Sequence, residues 1–225
     1  MSGRDAENAV RQLGVLPETG TGQLRLNLVR RLAAETLGTA FLLIAVVGSG
    51  IVASRLSPSD TGLQLLENAV ATAAALIGLI LMLGAVSGAH FNPVVTLVDR
   101  LLGTVRTSDA LLHVVAQIVG GCLGAICANV MLSPPVVLST GVRSPGALWF
   151  SEVLATIGLL LVIHGCVRTA RATVVTFAGG IWIGGAYFFT SSTSFANPAA
   201  AIGRSLSNSF ALIRFIFPHN PSETP

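Results

Sequence analysis

Apolar residues gather in five long runs, at 32–54, 66–86, 110–132, 147–167 and 173–191. A helix needs about 20 such residues to cross the hydrocarbon core of a bilayer. The pattern therefore predicts five full spanning helices. Polar breaks separate them. Residues 1–31 read as a flexible polar tail bearing Gly, Thr and Arg. Pro134, Pro135 and the Ser-Pro-Gly at 144–146 bracket a longer loop, and Arg168 to Arg171 form a very short one. After Asn197 the pattern changes: apolar residues return only at 210–217, and a polar tail, 218–225, follows.

Composition agrees with the pattern. The 225 residues are 52% hydrophobic and 10% charged, with mean hydropathy +0.76. That is a multispanning membrane protein, not a soluble globule. All basic residues are arginine, and the net charge of +3 is too small and scattered for nucleic acid. Cys122, Cys127 and Cys166 lie in apolar runs and read as small packing residues, so no disulfide and no metal are expected. The polar start, with Arg4, Asp5 and Glu7, does not read as a cleavable signal peptide. Orientation follows the arginines. With the N-terminus inside, nine lie on the cytoplasmic side and four outside, which predicts a cytoplasmic N-terminus; the expected location is the cell's inner (plasma) membrane. No nucleophile–base spacing, metal-ligand cluster or phosphate loop suggests an enzyme, and no cofactor is expected.

The chain echoes itself. Glu35 to Thr39 and Glu152 to Thr156 open two spans with the same Glu-x-x-x-Thr, and SGAHFNPVV at 87–95 is answered by STSFANPAA at 192–200. An odd number of spans separates the copies, so they run in opposite senses. Such inverted repeats build channels and transporters. The domains expected are a first repeat at 32–132, with three spans and a half-helix at 93–102, and an incomplete second repeat at 147–217, with two spans and a half-helix at 198–207. Pro93 and Pro198 each suit the first position of a helix, with Asn92 and Asn197 as caps. If both half-helices dip in from opposite faces, their positive ends meet at the midplane. The two Asn side chains then offer N–H donors to an uncharged solute while the dipoles repel cations. The unwound residues before each Asn (Gly88, Ala89, His90 and Phe91; Ser194, Phe195 and Ala196) are tolerable only beside a wet cavity, where their carbonyls would form a ladder of acceptors. Intramembrane Glu35 and Glu152 would brace these loops by accepting their N–H groups.

These motifs, with Ala116, Gln117 and Gly120 in the third span, resemble the aquaporin / major intrinsic protein family from about residue 32 to 210. The resemblance implies an all-α membrane fold with two re-entrant half-helices and passive conduction of water or small neutral solutes. It also implies homotetramers with one pore per subunit, and gives Gln117 a bracing role at the first loop. The glycine pairs Gly120/Gly124 and Gly180/Gly184 suit close helix crossings. Carried over by their offsets from the two Asn residues, the family's constriction positions fall on Thr72, Gly185, Ser194 and Ala200. The family's usual arginine after the second Asn-Pro-Ala is absent, because Ala200 stands there. Arg204, one turn on, is expected in a loop or headgroup position. The set is small and uncharged, which implies a wide filter. The second box also looks like that of the bacterial branch found with arsenic-resistance genes, implying arsenite or methylated arsenicals beside glycerol-like polyols.

A second departure lies at the end. Laying Asn92 on Asn197 shifts the numbering by 105, so the third span should recur near 215–237, beyond residue 225. The expectation is a chain whose sixth helix is largely missing, leaving the half-helix after Pro198 without the neighbour that the third span gives its counterpart. A decayed, non-conducting homologue is the alternative. An inverted-repeat transporter is the other, with His90, His113 and His164 as its ionisable candidates.

Overall fold

The computed structural model describes residues 21–132, 146–168, 172–190 and 196–207, and the architecture among them is all-helical. Helix α1 (Thr21–Leu56) and α2 (Thr61–Ser87) form an antiparallel pair. The short α3 (Pro93–Leu101) follows, then α4 (Thr107–Leu132), α5 (Gly146–Arg168) and α6 (Ala172–Phe189). The short α7 (Pro198–Arg204) is last. Four helices are long and apolar enough to cross a membrane, at Asn27–Leu56, Thr61–Ser87, Thr107–Leu132 and Trp149–Arg168. Helix α6, expected as a fifth full span, has 18 residues. At about 1.5 Å per residue it falls slightly short of the roughly 30 Å hydrocarbon core.

Two boundaries correct the sequence reading. Residues 21–31 are not part of a flexible tail but the first turns of α1. No Gly or Pro interrupts the stretch from 24 to 37, and Arg31 Nη1 lies 3.5 Å from Asp109 Oδ2 at the start of α4. The second half-helix ends at Arg204 rather than 207. The chain leaves the helix there because α4 holds it: Asn129 Nδ2 donates to the Leu206 carbonyl at 3.0 Å, and Ser207 Oγ donates to Asn129 Oδ1 at 2.9 Å. Segments 1–20 and 208–225, which include the proposed tail and the end of the second repeat, lie outside the described residues.

Small residues decide which helices touch. A Cβ on Gly120 would stand 2.3 Å from the Thr36 carbonyl oxygen, and one on Gly124 2.2 Å from that of Ala40, so α1 and α4 cross backbone to backbone. On α6, a Cβ at Gly180 would meet Ile77 at 2.4 Å, and Gly184 packs on Ala73, which seats α6 against α2. Helix α7 rests on α4 by the same device: a Cβ at Gly203 would stand 2.6 Å from the Gly121 carbonyl, and one at Gly121 2.8 Å from that of Ala199. The expectation that the second half-helix lacks a neighbour within the chain is therefore corrected. One long helix, α4, carries both α3 and α7. Large apolar side chains such as Leu81, Val130, Leu161 and Ile181 are more than half exposed on the outside, a surface suited to lipid.

Gly120→Val or Gly124→Val should prevent the α1–α4 crossing and abolish recovery of monodisperse protein in mild detergent. Gly78→Ala, where a Cβ meets nothing within 4 Å, should leave thermal stability unchanged or raise it by up to about 1 kcal/mol. Size-exclusion profiles and melting curves of the three variants check both expectations.

Candidate pore and filter

Each half-helix begins with Asn followed by Pro, and each Asn has extended backbone and caps its own helix. Asn92 Oδ1 accepts from the Val94 N–H at 2.9 Å. Asn197 Oδ1 accepts from those of Ala199 and Ala200 at 3.0 and 3.2 Å. The other end of each amide crosses to the opposite box. Asn92 Nδ2 donates to the Ala196 carbonyl at 2.6 Å, and Asn197 Nδ2 donates to the Phe91 carbonyl at 2.8 Å. A carboxamide has two N–H donors, so this exchange uses one from each Asn and leaves a second available to a solute. It also places the two N-termini side by side.

From that junction the half-helices run apart along α4. The last turn of α3 stays near the start of α4, where Arg100 Nε donates to Thr107 Oγ1 at 2.5 Å. The end of α7 lies at Asn129, near the other end. Asp99 and Arg204 thus stand at opposite mouths of one cavity of about 830 Å³ that both help line, with Asn92 and Asn197 between them.

The residue just before each Asn is strained, and its N–H is held by a carboxylate. Phe91 and Ala196, the residues immediately before Asn, have φ of 48° and 42°, and Ala89 has 48°. Non-glycine residues there cost about 1–3 kcal/mol each. Carboxylates offset it. Glu35, fully buried, accepts from Ser87 Oγ at 2.6 Å, the His90 N–H at 3.1 Å, the Phe91 N–H at 2.8 Å and Gln117 Nε2 at 2.7 Å. Glu152 Oε2 accepts the Ala196 N–H at 2.7 Å. Gly88, Ala89, His90 and Phe91 line the cavity. The carbonyls of Phe91 and Ala196 each accept one hydrogen bond from the opposing Asn amide. Ser194 and Phe195 lie outside the described residues.

The constriction differs more. Thr72 lines the cavity and is buried, and its Oγ1 lies 3.1 Å from the Tyr187 hydroxyl. Asn68, one turn before Thr72, donates to the Val46 carbonyl at 2.9 Å. Leu43, about one turn back along antiparallel α1, packs on Gly203. Thr72 and Tyr187 therefore sit at the height of α7. Gly185 does not line the cavity; it is exposed, and a Cβ there would meet only the Phe189 ring at 4.0 Å. Ile183 and Tyr187 share the inward face. A residue count back from Asn197 crosses from one helix to the next and carries no helical phase, whereas residues four apart lie on one face. Of the expected set, Thr72 and Ala200 line the cavity, Gly185 does not, and Ser194 lies outside the described residues; Tyr187 and Arg204 line the cavity as well. Arg204 is 2% exposed and lines the cavity, so the headgroup expectation for it is also corrected.

At the other mouth, His90 Nε2 lies 2.9 Å from Asp99 Oδ2, and His164 Nε2 lies 4.0 Å from Asp99 Oδ1. His113 is fully buried, with Nδ1 2.7 Å from the Asp109 carbonyl. Sequence reading passed over Asp99 and Tyr187. For Asp99 the signal was present: Asp99 and Arg204 each follow their Asn by seven residues, so the 105-residue shift that pairs the boxes also pairs them. Among the described residues no cluster of three or more ligating side chains could hold a metal.

Two half-helices abutting at capped N-termini beside a continuous cavity define a pore-forming membrane protein. The chain belongs to the major intrinsic protein family, whose description matches residues 23–206 and whose members are channels, not enzymes. It is 46% identical over 189 residues to aquaglyceroporin AqpS of Rhizobium meliloti (strain 1021), covering 84% of this chain and 80% of that one. It is 29% identical over 170 residues to aquaporin Z of Photorhabdus laumondii, covering 68% and 73%. The X-ray structure of the aquaglyceroporin from Plasmodium falciparum shares the fold, with a TM-score of 0.60 at 21% identity over 79% of this chain and 77% of that one.

Glu35→Ala would leave four donors without their acceptor and should destabilise the protein by at least about 3 kcal/mol. Glu35→Gln, which keeps the shape but brings an N–H against other donors, should fall between it and the wild type. Thermal unfolding in detergent, read beside solute flux, checks the order.

Proposed function

We propose that the protein is a passive plasma-membrane channel for small neutral solutes, water and glycerol-sized polyols among them. The observation that carries this reading is the reciprocal Asn–carbonyl exchange. It fixes two positive half-helix ends and two spare amide N–H donors in one cavity. A solute with hydroxyl oxygens can replace its lost hydration there, while a cation meets two unfavourable dipoles. Neutral arsenic hydroxides present similar oxygen atoms at similar size and belong to the same solute class; the likeness to an aquaglyceroporin and the alanine at 200 support including them. A homotetramer with one pore per subunit, and a cytoplasmic N-terminus, complete the reading. The arginine distribution along the chain supports the orientation. Two intramembrane carboxylates, Glu35 and Glu152, are engaged in holding loops, which supports a channel more than a transporter.

Reconstituted in liposomes, the wild type should raise glycerol permeability in osmotic swelling assays. Asn92→Asp and Asn197→Asp should each reduce that flux at least about tenfold, since a carboxylate cannot donate and puts a charge in the pore. Full flux in either well-inserted variant would refute the pore assignment. Tyr187→Ala should widen the constriction and admit larger polyols, and Gly185→Phe should leave the size cutoff as it is. The same swelling assay, run with polyols of increasing length, reads both.

A further inference from the structure

We infer that Asp99 is the anion barrier of the pore, and that His90 and His164 weaken this barrier as they take up protons. The inference rests on the channel reading above and concerns the mouth opposite Arg204. Positive half-helix ends oppose cations, but the same ends attract anions. Arg168 and Arg204 also line the cavity, and both add to that attraction. A pore reserved for neutral solutes therefore needs a negative charge within reach of an entering anion. Among the described residues that line the cavity, Asp99 is the only acid. Glu35 and Glu152 are engaged with loop N–H groups instead.

The local geometry holds this carboxylate at the mouth. Asp99 lies in the last turn of α3, whose carbonyl end adds to its negative field, and its side chain is 22% exposed. Oδ2 lies 2.9 Å from His90 Nε2, and Thr96 Oγ1, 3.0 Å from Nδ1, holds that ring from its other side. Oδ1 lies 4.0 Å from His164 Nε2, too far for a hydrogen bond. The two imidazoles come from different elements, His90 from the loop before α3 and His164 from α5. Imidazole is the side chain whose charge changes nearest to neutral pH. A proton on either ring therefore sets a cation beside Asp99 and cancels much of its field. The other groups around the mouth do not reverse that sign. Arg168 on α5 stays cationic, and Arg100 turns to Thr107. From α4, the His113 ring lies 6.2 Å from that of His90, with its Nδ1 at the Asp109 carbonyl. From α1, Glu35 accepts the His90 N–H. The α6 residues on this cavity, Val175, Gly179, Ile183 and Tyr187, bring no charge.

The test uses liposomes of the full chain, with glycerol flux and nitrate leak under a potassium diffusion potential measured on the same preparations. Nitrate is small and keeps its charge across the pH range used. At about pH 8, Asp99→Asn should raise nitrate leak relative to glycerol flux at least about tenfold. Asp99→Glu, which keeps the charge, should stay near the wild-type ratio. The wild-type ratio should itself rise at least about fivefold as pH falls from about 8 to about 5, and His164→Gln, which takes up no proton, should reduce that rise. Should Asp99→Asn fail to fold, the wild-type pH series reads the same barrier. Equal leak ratios in wild type and Asp99→Asn, both conducting glycerol, would overturn the role of Asp99 and leave the channel reading standing. A wild-type ratio constant across the pH series would overturn the part given to the histidines. Absence of glycerol flux in the wild type would remove the channel reading and the barrier together.

Discussion

Everything in this pore depends on the exchange of two hydrogen bonds between the Asn boxes. In hydrocarbon a backbone N–H or C=O without a partner costs several kcal/mol. A chain that unwinds at the midplane must therefore find partners for every loop residue. Here each box supplies what the other lacks. Each Asn uses its oxygen to cap its own helix and its nitrogen to hold the carbonyl just before the other cap. Neither half-helix can be placed without its counterpart.

The rest of the structure positions that exchange. Two glutamates at equivalent places hold the N–H groups that the strained loops turn away from the pore, and Gln117 and Ser87 fix the carboxylate of Glu35. Helix α4 is the common support. Its glycines bring the backbones of α1 and α7 into contact, and its polar residues reach both half-helices: Gln117 donates to Thr96 on one side and Asn129 to the Leu206 carbonyl on the other. Close backbone approach through small residues and a few fully used amides does here what a hydrophobic core does in water. The pore that results is electrostatically uneven. The junction carries two positive helix ends, one mouth has Arg204, and the other has Asp99 with His90 and His164 beside it.

Membrane insertion, the spans, the paired half-helices and the bracing carboxylates could all be read from the chain. Each is written in local chemistry: run length, Asn-Pro at a helix start, and an acid in an apolar stretch. Those signals survive without coordinates because hydrocarbon leaves few alternatives for a polar group. The reading failed where neighbours decide. The turns before residue 32 look polar alone, but they continue α1 toward a partner on α4. The second half-helix looked unsupported until α4 was seen to serve both halves. Residue counts placed Gly185 in the filter, while helical phase turns Tyr187, not Gly185, to the cavity. Arg204, four residues beyond the expected arginine position, looked like a surface charge, yet it is buried and lines the cavity. Composition and motif thus determine that this chain spans a membrane and where it must unwind. Which side chains meet in the opening is decided by the packing of α2, α6 and α7, because a side chain's facing depends on the rotation of its helix against its neighbours.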